Sequence, residues 1–479
     1  MSRRMILTIA ACVFWAEMSL TCVGKETPQH PNIIYVLADD LGYTDLACFG
    51  SRYYETPHLD QMARDGLRMT AAYTCGPNCQ PTRAALMSGQ YGPRTGIYTV
   101  GSIDRFDWRS RPLRPVDNVT EMPLDRVLLP QAFKSGGYPT AMFGKWHLGD
   151  EGLHHPSKRG FYESLVTAGK HFDFETLPPQ NVPQGVYLAD YLTDRAVDFI
   201  QRHKEKPFFL YLPHFGVHSP YQAKPELIER FQKKPGVGGH NDPTYAAMIF
   251  SVDESVGRIR KIVHELDLAE KTLIIFTSDN GGVGGYAREG IKTGKEATDN
   301  VPLRGGKGML YEGGIRVPYL ACWPGVVPAA HESDEPIISV DLYPTLLNAA
   351  NIDVPSGTTL DGASYLTILK GEKSPQQRSP LYWHFPGYLG SNENTWRTTP
   401  AGAIRHGDWK LIEFFEDGRR ELYNLRTDLG EKQDLAAAQS EKLESLKRML
   451  HDWRTKTNAP MPTTNTNRQA PGANRGRAD

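Results

Sequence analysis

The sequence predicts an α/β fold, a large mostly parallel central sheet flanked by helices, followed by a small C-terminal antiparallel α+β subdomain. Three observations carry this. Residues 32–38 (NIIYVLA), 207–212 (PFFLYL) and 271–277 (KTLIIFT) are runs of strand length made mostly of β-branched and apolar residues. A strand covered on both faces, as in a parallel sheet, reads as such a run and not as an alternation. Helical patterns lie between them: Ile249, Val252, Val256, Ile259, Val263 and Leu266 recur by threes and fours and make one apolar helix face. After about residue 370 the pattern changes to short strands separated by tight turns.

In chain order, the first segment reads as an export signal over residues 1–24. Ser2-Arg3-Arg4 is a short basic start, and residues 5–15 are mainly apolar but too few to span a bilayer as a mature helix. Ile9-Ala10-Ala11-Cys12 resembles a lipoprotein cleavage box but comes too early, so lipoprotein anchoring is not expected. No later run is long and apolar enough for a stable membrane span. The expected location is therefore periplasmic or secreted. The α/β domain is expected over residues 31–370 and the antiparallel subdomain over 371–458. Within the latter, residues 401–405, 409–415 and 421–425 read as a meander, with turns at His406-Gly407-Asp408 and Glu416-Asp417-Gly418. A helix follows, with Leu443, Leu446, Met449, Leu450 and Trp453 on one face. Residues 459–479 are polar and rich in Pro, Gly and Asn, and read as a disordered tail.

Composition narrows the function. The chain has 479 residues, 54 Lys+Arg against 55 Asp+Glu, and a formal net charge of −1, so no basic excess points to nucleic acid. Of the six cysteines, Cys12 and Cys22 fall in or near the signal. Cys48, Cys75, Cys79 and Cys322 have no zinc-like pairing; this is not a disulfide scaffold, though one bridge is possible.

Ligands of open parallel sheets bind beyond the carboxyl ends of the strands. Two of the buried runs end in Asp39-Asp40 and in Asp279-Asn280. Either pair alone also makes good turn chemistry. Together, three carboxylates and an amide at one sheet edge would repel without a cation, and their hard oxygens suit Ca²⁺ or Mg²⁺ more than zinc. Residues 75–90 (CGPNCQPTRAALMSGQ) place a cysteine before a proline, an arginine and an apolar helix. A helix starting near Pro81 would point its first amides at an anion.

These residues carry a resemblance. Cys79-Gln80-Pro81-Thr82-Arg83 followed by Ala84-Ala85-Leu86 resembles the maturation motif of the type I, formylglycine-dependent sulfatases, within the alkaline-phosphatase-like superfamily. In that family the motif cysteine becomes formylglycine, made by a dedicated maturation enzyme. The family's usual Ser is Thr82 here. Cys75 also precedes a proline at +2 but has Cys79, not Arg, at +4, so Cys79 is the position to be converted. Residues 34–42 (IYVLADDLG), 144–149 (GKWHLG), 217–220 (VHSP), 277–282 (TSDNGG), 302–318 (PLRGGKGMLYEGGIRVP) and 403–425 are similar to further family segments, in the family's order.

The resemblance implies one Ca²⁺ held by Asp39, Asp40, Asp279, Asn280 and the modified Cys79. It implies that Arg83 stabilises the formylglycine hydrate and that Lys145 and Lys307 clamp sulfate oxygens. His147 would be the base that breaks down the sulfo-enzyme, and His218 would bind sulfate or protonate the leaving oxygen. His214 and Asp253 read as structural, and Arg304 and Arg316 are not assigned. The implied activity is hydrolysis of sulfate monoesters on a sulfated small molecule or glycan. A carbohydrate sulfate near a chain end is expected, with a broad arylsulfatase as the alternative. A phosphatase or phosphodiesterase of the same superfamily is a weaker alternative, because the Asp/His groupings expected of its second metal site are replaced in the sequence by Lys307 and His218. A non-catalytic calcium-dependent glycan-binding protein is the remaining alternative. Specificity is expected from residues 100–119, 171–185 and 286–300, with Trp108, His171, Phe172 and Tyr286 as pocket aromatics.

Overall fold

The computed structural model describes residues 30–292, 296–373, 378–390 and 396–469. The expected signal segment, 1–24, and residues 470–479 lie outside them.

Strand Asn32–Ala38 sits at the centre of a nine-stranded sheet. It pairs in parallel with Phe209–Pro213 on one side and Thr272–Ser278 on the other. Its side chains alternate between two cores, as strand periodicity requires. Ile34, Val36 and Ala38 enter a core with Val252, Val256, Ile259 and Val263 of helix Pro243–Glu265. Ile33, Tyr35 and Leu37 enter a second core with Leu86 and Leu346 on the other face. The apolar run thus has the cause expected of it: both faces are covered.

The sheet continues through Thr140–Gly144 to Glu163–Val166 in parallel. On the other side Arg316–Cys322 runs antiparallel both to Thr272–Ser278 and to Leu67–Tyr73. The chain between Ser278 and Arg316 leaves and re-enters the same edge of the sheet, so the returning strand must reverse. That excursion carries Lys307. Buried Asp253 accepts the N–H groups of His58 (3.2 Å) and Leu59 (2.7 Å) at the start of helix Pro57–Asp65. His214 is buried and its Nε2 lies 2.9 Å from Ser255 Oγ. Both are structural, as read from the sequence.

The C-terminal sheet has four antiparallel strands, in the order Leu381–Phe385, Ala401–His406, Trp409–Phe414 and Arg420–Asn424. Helix Ser440–Lys456 covers it with Leu446, Leu450 and Trp453. Its core includes Tyr73, Ala85, Leu310 and Ile315, so it packs directly against the helix and the loop that serve the site. Buried Lys410 reaches Glu312 and Glu431 at 2.8 Å each, which ties this sheet to the segment following Lys307.

Residues 459–469, read as part of a disordered tail, return to the body of the protein. Thr463–Thr464 pairs antiparallel with Leu113–Arg114, and Asn465 Nδ2 donates to the carbonyls of Arg109 (3.1 Å) and Arg111 (2.9 Å). A polar strand pairing at a surface edge leaves no apolar signal in the sequence. Among the described residues, no helix is long and apolar enough to cross a membrane, and Cys48, Cys75, Cys79 and Cys322 are free thiols.

Candidate active site

The register of the two central strands builds the floor of the site. Ala38 pairs with Ser278, so Asp39 and Asp279 leave neighbouring strands at the same carboxyl edge. Asp40 turns back over that edge with φ 65° and donates its N–H to Asp279 Oδ1 at 3.2 Å. A non-glycine residue in this left-handed region is uncommon and marks a position where the fold holds the backbone against its preference. His147, at φ 63°, is a second such residue. Gly144 (φ 134°) permits the turn before Lys145: a Cβ there would meet the Pro213 carbonyl oxygen at 1.9 Å.

Helix Cys79–Ser88 starts two residues earlier than Pro81, which makes Cys79 its first residue. Thr82 Oγ1 lies 3.3 Å from the carbonyl oxygens of Gly76 and Asn78 and steadies the approach to the helix. Cys79 is buried, with Sγ 3.3 Å from Asp39 Oδ1 and 3.8 Å from Asp40 Oδ1. Burial, and then the charges of Asp279 and Asp39, push its thiol well above the ordinary range. A neutral thiol is a poor nucleophile.

One turn along the helix, Arg83 is fully buried. Its Nε and Nη2 donate to Asp279 Oδ2 at 2.9 and 2.7 Å, and its Nη1 to the Lys145 carbonyl at 2.6 Å. Lys145 Nζ donates to Asp39 Oδ2 at 2.6 Å, and Lys307 Nζ to Asp40 Oδ2 at 2.7 Å. Three buried carboxylates therefore face two buried cations, Arg83 and Lys145, and one partly buried cation, Lys307. Burial would raise the carboxyl of Asp39, but Lys145, His218, Arg83 and Lys307 outweigh it and hold the group well below the usual range. Asp279 moves the other way, pushed up by burial and by the charge of Asp39.

The two histidines differ. Burial, with the neighbouring charges of Lys145 and Arg83, drives the pKa of His147 well below 6.5, so its imidazole is neutral. His218 Nδ1 lies 2.6 Å from the Ser219 carbonyl, an acceptor, so this nitrogen carries a proton. Its Nε2 lies 3.6 Å from Asp40 Oδ2. His171 Nε2 supports the same loop from below, 2.8 Å from the His218 carbonyl. His171 is buried, so it is a prop and not the pocket aromatic expected of it.

Cys79, Lys145, His147, His218, Lys307 and Asp40 line one cavity of about 540 Å³. The sequence-derived candidates thus converge: Asp39, Asp279, Asn280 and Arg83 form the buried layer beneath that cavity. The donor set suits a hard cation. Atoms of Asp39, Asp40, Cys79 and His218 lie within 4.8 Å of one another. Asn280 donates Nδ2 to Asp40 Oδ1 at 2.9 Å, while its Oδ1 is buried without a hydrogen-bond partner. An orphaned buried amide oxygen beside carboxylates is the kind of group a calcium ion would satisfy.

Residues not singled out from the sequence complete the wall: Asn78, Arg105, Phe106, Tyr221, Val283, Leu389 and Arg397. Arg105 and Phe106 fall in one of the expected loops; Arg397 lies beyond the α/β domain and nothing in its spacing marked it. Tyr286 lines the cavity as expected, and its hydroxyl donates to the Lys307 carbonyl at 2.8 Å. Trp108 and residues 171–185 are not part of the lining; Trp108 instead donates Nε1 to Asp104 Oδ1 at 3.1 Å.

Known proteins give the same picture. Residues 31–352 match the sulfatase family, and residues 306–458 match the C-terminal region of N-sulphoglucosamine sulphohydrolase. A sulfatase of Formosa agariphila is 33% identical, covering 91% of each chain. The N-acetylgalactosamine-6-sulfatase of Homo sapiens is 31% identical over 88% of this chain and 84% of its own. The crystal structure of Ps i-CgsB, also solved with k-i-k-neocarrahexaose, superposes with a TM-score of 0.74 at 30% identity, covering 92% of this chain and 94% of that one. The carboxylate floor, the Cys79 helix and these relatives together place the chain in the sulfatase family of the alkaline-phosphatase-like superfamily, as a sulfuric ester hydrolase.

Proposed function

We propose that this protein is an exported enzyme that removes sulfate from a sulfated carbohydrate, using a formylglycine hydrate at position 79 and one Ca²⁺. The observation that carries the reading is the position of Cys79: first residue of its helix, beside Asp39 and Asp40, at the bottom of a cavity walled by Lys145, His147, His218 and Lys307. Asp39, Asp40, Asp279, Asn280 and the modified residue 79 would hold the cation. Calcium would supply positive charge that lowers the proton affinity of the hydrate and offsets the sulfate anion. His218 is left for substrate, since Ca²⁺ prefers oxygen donors.

In this reading Lys145 and Lys307 each point an ammonium at the sulfate oxygens, and Arg83 holds Asp279 and the loop of Lys145 in place. One hydroxyl of the hydrate, having lost its proton to solvent water in the open cavity, would attack sulfur as the bond from sulfur to the leaving sugar oxygen breaks. That oxygen takes a proton from Nε2 of His218, which faces the cavity beside Asp40. The neutral imidazole of His147 then removes the proton of the second hydroxyl. The carbonyl of formylglycine re-forms, sulfate leaves, and water restores the hydrate. An unmodified thiol has no second hydroxyl and cannot release sulfate this way.

Proteins similar to this one support the carbohydrate assignment, since they include an N-acetylgalactosamine-6-sulfatase and a protein crystallised with k-i-k-neocarrahexaose. A cavity of about 540 Å³ suits one sugar better than an open groove would. The test is release of sulfate from defined sulfated mono- and disaccharides compared with an aryl sulfate, with metal analysis of the same preparation. Turnover of a sugar sulfate by protein holding one calcium, lost on chelation and restored by Ca²⁺, is expected. Turnover of aryl sulfates alone would refute the carbohydrate assignment, and undiminished activity after verified metal removal would refute the calcium.

A further inference from the structure

Two arginines stand in the wall of the active cavity with no carboxylate partner among the described residues. Arg105 follows the turn after Val100, and its guanidinium lies over the Phe106 ring, 5.3 Å from the centroid. Arg397 comes from the C-terminal part of the chain and lies over the ring of Tyr286 at 4.5 Å. Among the described residues neither forms an ion pair, and Arg397 Nε is buried with no hydrogen-bond partner. Other arginines here are neutralised: Arg304 by Glu289 at 2.8 Å, Arg316 by Glu312 at 3.0 Å, and Arg94 by Asp361 at 2.7 Å. Aromatic faces hold a guanidinium in place while leaving its N–H edge open to an anion.

The two also sense each other. Burial, and the charge of Arg397, lower the pKa of Arg105, while the proximity of Cys79 raises it. Lys145 and Lys307 are matched by Asp39 and Asp40, so Arg105 and Arg397 add positive charge to the cavity beyond what its floor balances. Glu296, the acidic residue of the wall above the floor, is engaged: it accepts the N–H groups of Gly285 (2.6 Å) and Ala287 (2.8 Å). Arg397 is also part of the wall of an adjoining cavity of about 280 Å³, flanked by Trp396 and Tyr311. The excess positive charge thus lies on the side where a substrate would extend away from its scissile sulfate.

We propose that Arg105 and Arg397 form an anion subsite, and that the natural substrate carries a second anionic group beside the sulfate that is removed. The inference rests on the sulfatase reading and narrows it. A second sulfate on the same sugar and the carboxylate of an adjoining uronic acid share the required chemistry, as both accept bidentate hydrogen bonds from guanidinium.

The test uses the full chain with Cys79→Ala, which binds without turnover. Calorimetric affinities are measured for N-acetylgalactosamine 6-sulfate, for the same sugar with a second sulfate, and for its disaccharide with glucuronate. At least one of the two dianionic ligands should bind about tenfold more tightly or better, and the arm that does so identifies the group. Adding Arg397→Gln or Arg105→Gln should bring that ratio close to one, with Arg→Lys retaining part of it and the melting temperature confirming a folded protein. Equal affinities for all three ligands, no measurable binding of any, or a ratio that survives both substitutions overturns the proposal. Sulfate release by the unsubstituted enzyme is read separately: its failure on every ester removes the proposed function, whatever the binding ratios.

Discussion

The floor and the rim of the cavity treat charge in opposite ways. On the floor, Asp39, Asp40 and Asp279 each meet a cation of the same chain: Lys145, Lys307 and Arg83. On the rim, Arg105 and Arg397 rest on aromatic rings and meet no carboxylate among the described residues. The difference follows from water. A buried charge without a partner costs several kcal/mol, so every ion of the floor must be matched when the chain folds. A charge at an opening stays hydrated and can wait for a ligand. The floor is therefore folding chemistry that also serves catalysis, while the rim is free to serve substrate choice.

The sharpest way to break the floor is Asp279→Ala. It removes the carboxylate that accepts both Nε and Nη2 of fully buried Arg83 and leaves only Asp39, at 3.7 Å; the expected cost is about 3–5 kcal/mol of stability, together with loss of bound calcium and activity. Denaturant unfolding and metal analysis read the two effects. Stability within about 0.5 kcal/mol of the parent would show that Arg83 does not depend on Asp279.

The interior below the floor should also show in acid. Burial lowers the pKa of His214 from 6.5 to about 4. Between these values the unfolded chain binds the proton and the folded chain does not. The contribution is therefore whole above pH 6.5 and is lost as pH falls toward 4, by up to about 3 kcal/mol. Stability measured against pH should fall less steeply over this window in His214→Asn than in the parent. Parallel slopes would contradict the assignment.

The rim gives the smallest effect on folding. Arg397→Ala should change stability by no more than about 0.5 kcal/mol, read as a melting temperature near that of the parent. A large loss would mean that Arg397 holds the C-terminal strands together and is not reserved for a ligand.

The same contrast explains what could be read from the sequence. The floor was legible because its residues sit at fixed offsets from buried strands and a helix: Asp39-Asp40 after NIIYVLA, Asp279-Asn280 after the strand that pairs with it, and Arg83 one turn after Cys79. Periodicity marks such elements and their ends. The rim was not legible. Arg397 reaches the cavity from about 320 residues after Cys79, on the short strand Trp396–Thr398 that pairs with Leu389–Gly390 and that no local pattern marks. His171 looked like a pocket aromatic because loop position alone cannot show that its ring lies buried beneath His218. Reversal of strand Arg316–Cys322 was hidden for a similar reason, since an apolar run has no direction. The pairing of Thr463–Thr464 was hidden because an exposed edge strand needs no apolar residue.

The central claim is that position 79 acts as formylglycine and not as cysteine. Peptide mass spectrometry of enzyme purified on activity tests it most directly. The account predicts that the peptide spanning Cys79 carries an aldehyde in place of the thiol, in proportion to specific activity, and that Cys79→Ala is folded but inert. Full activity in protein whose Cys79 thiol is intact would contradict it.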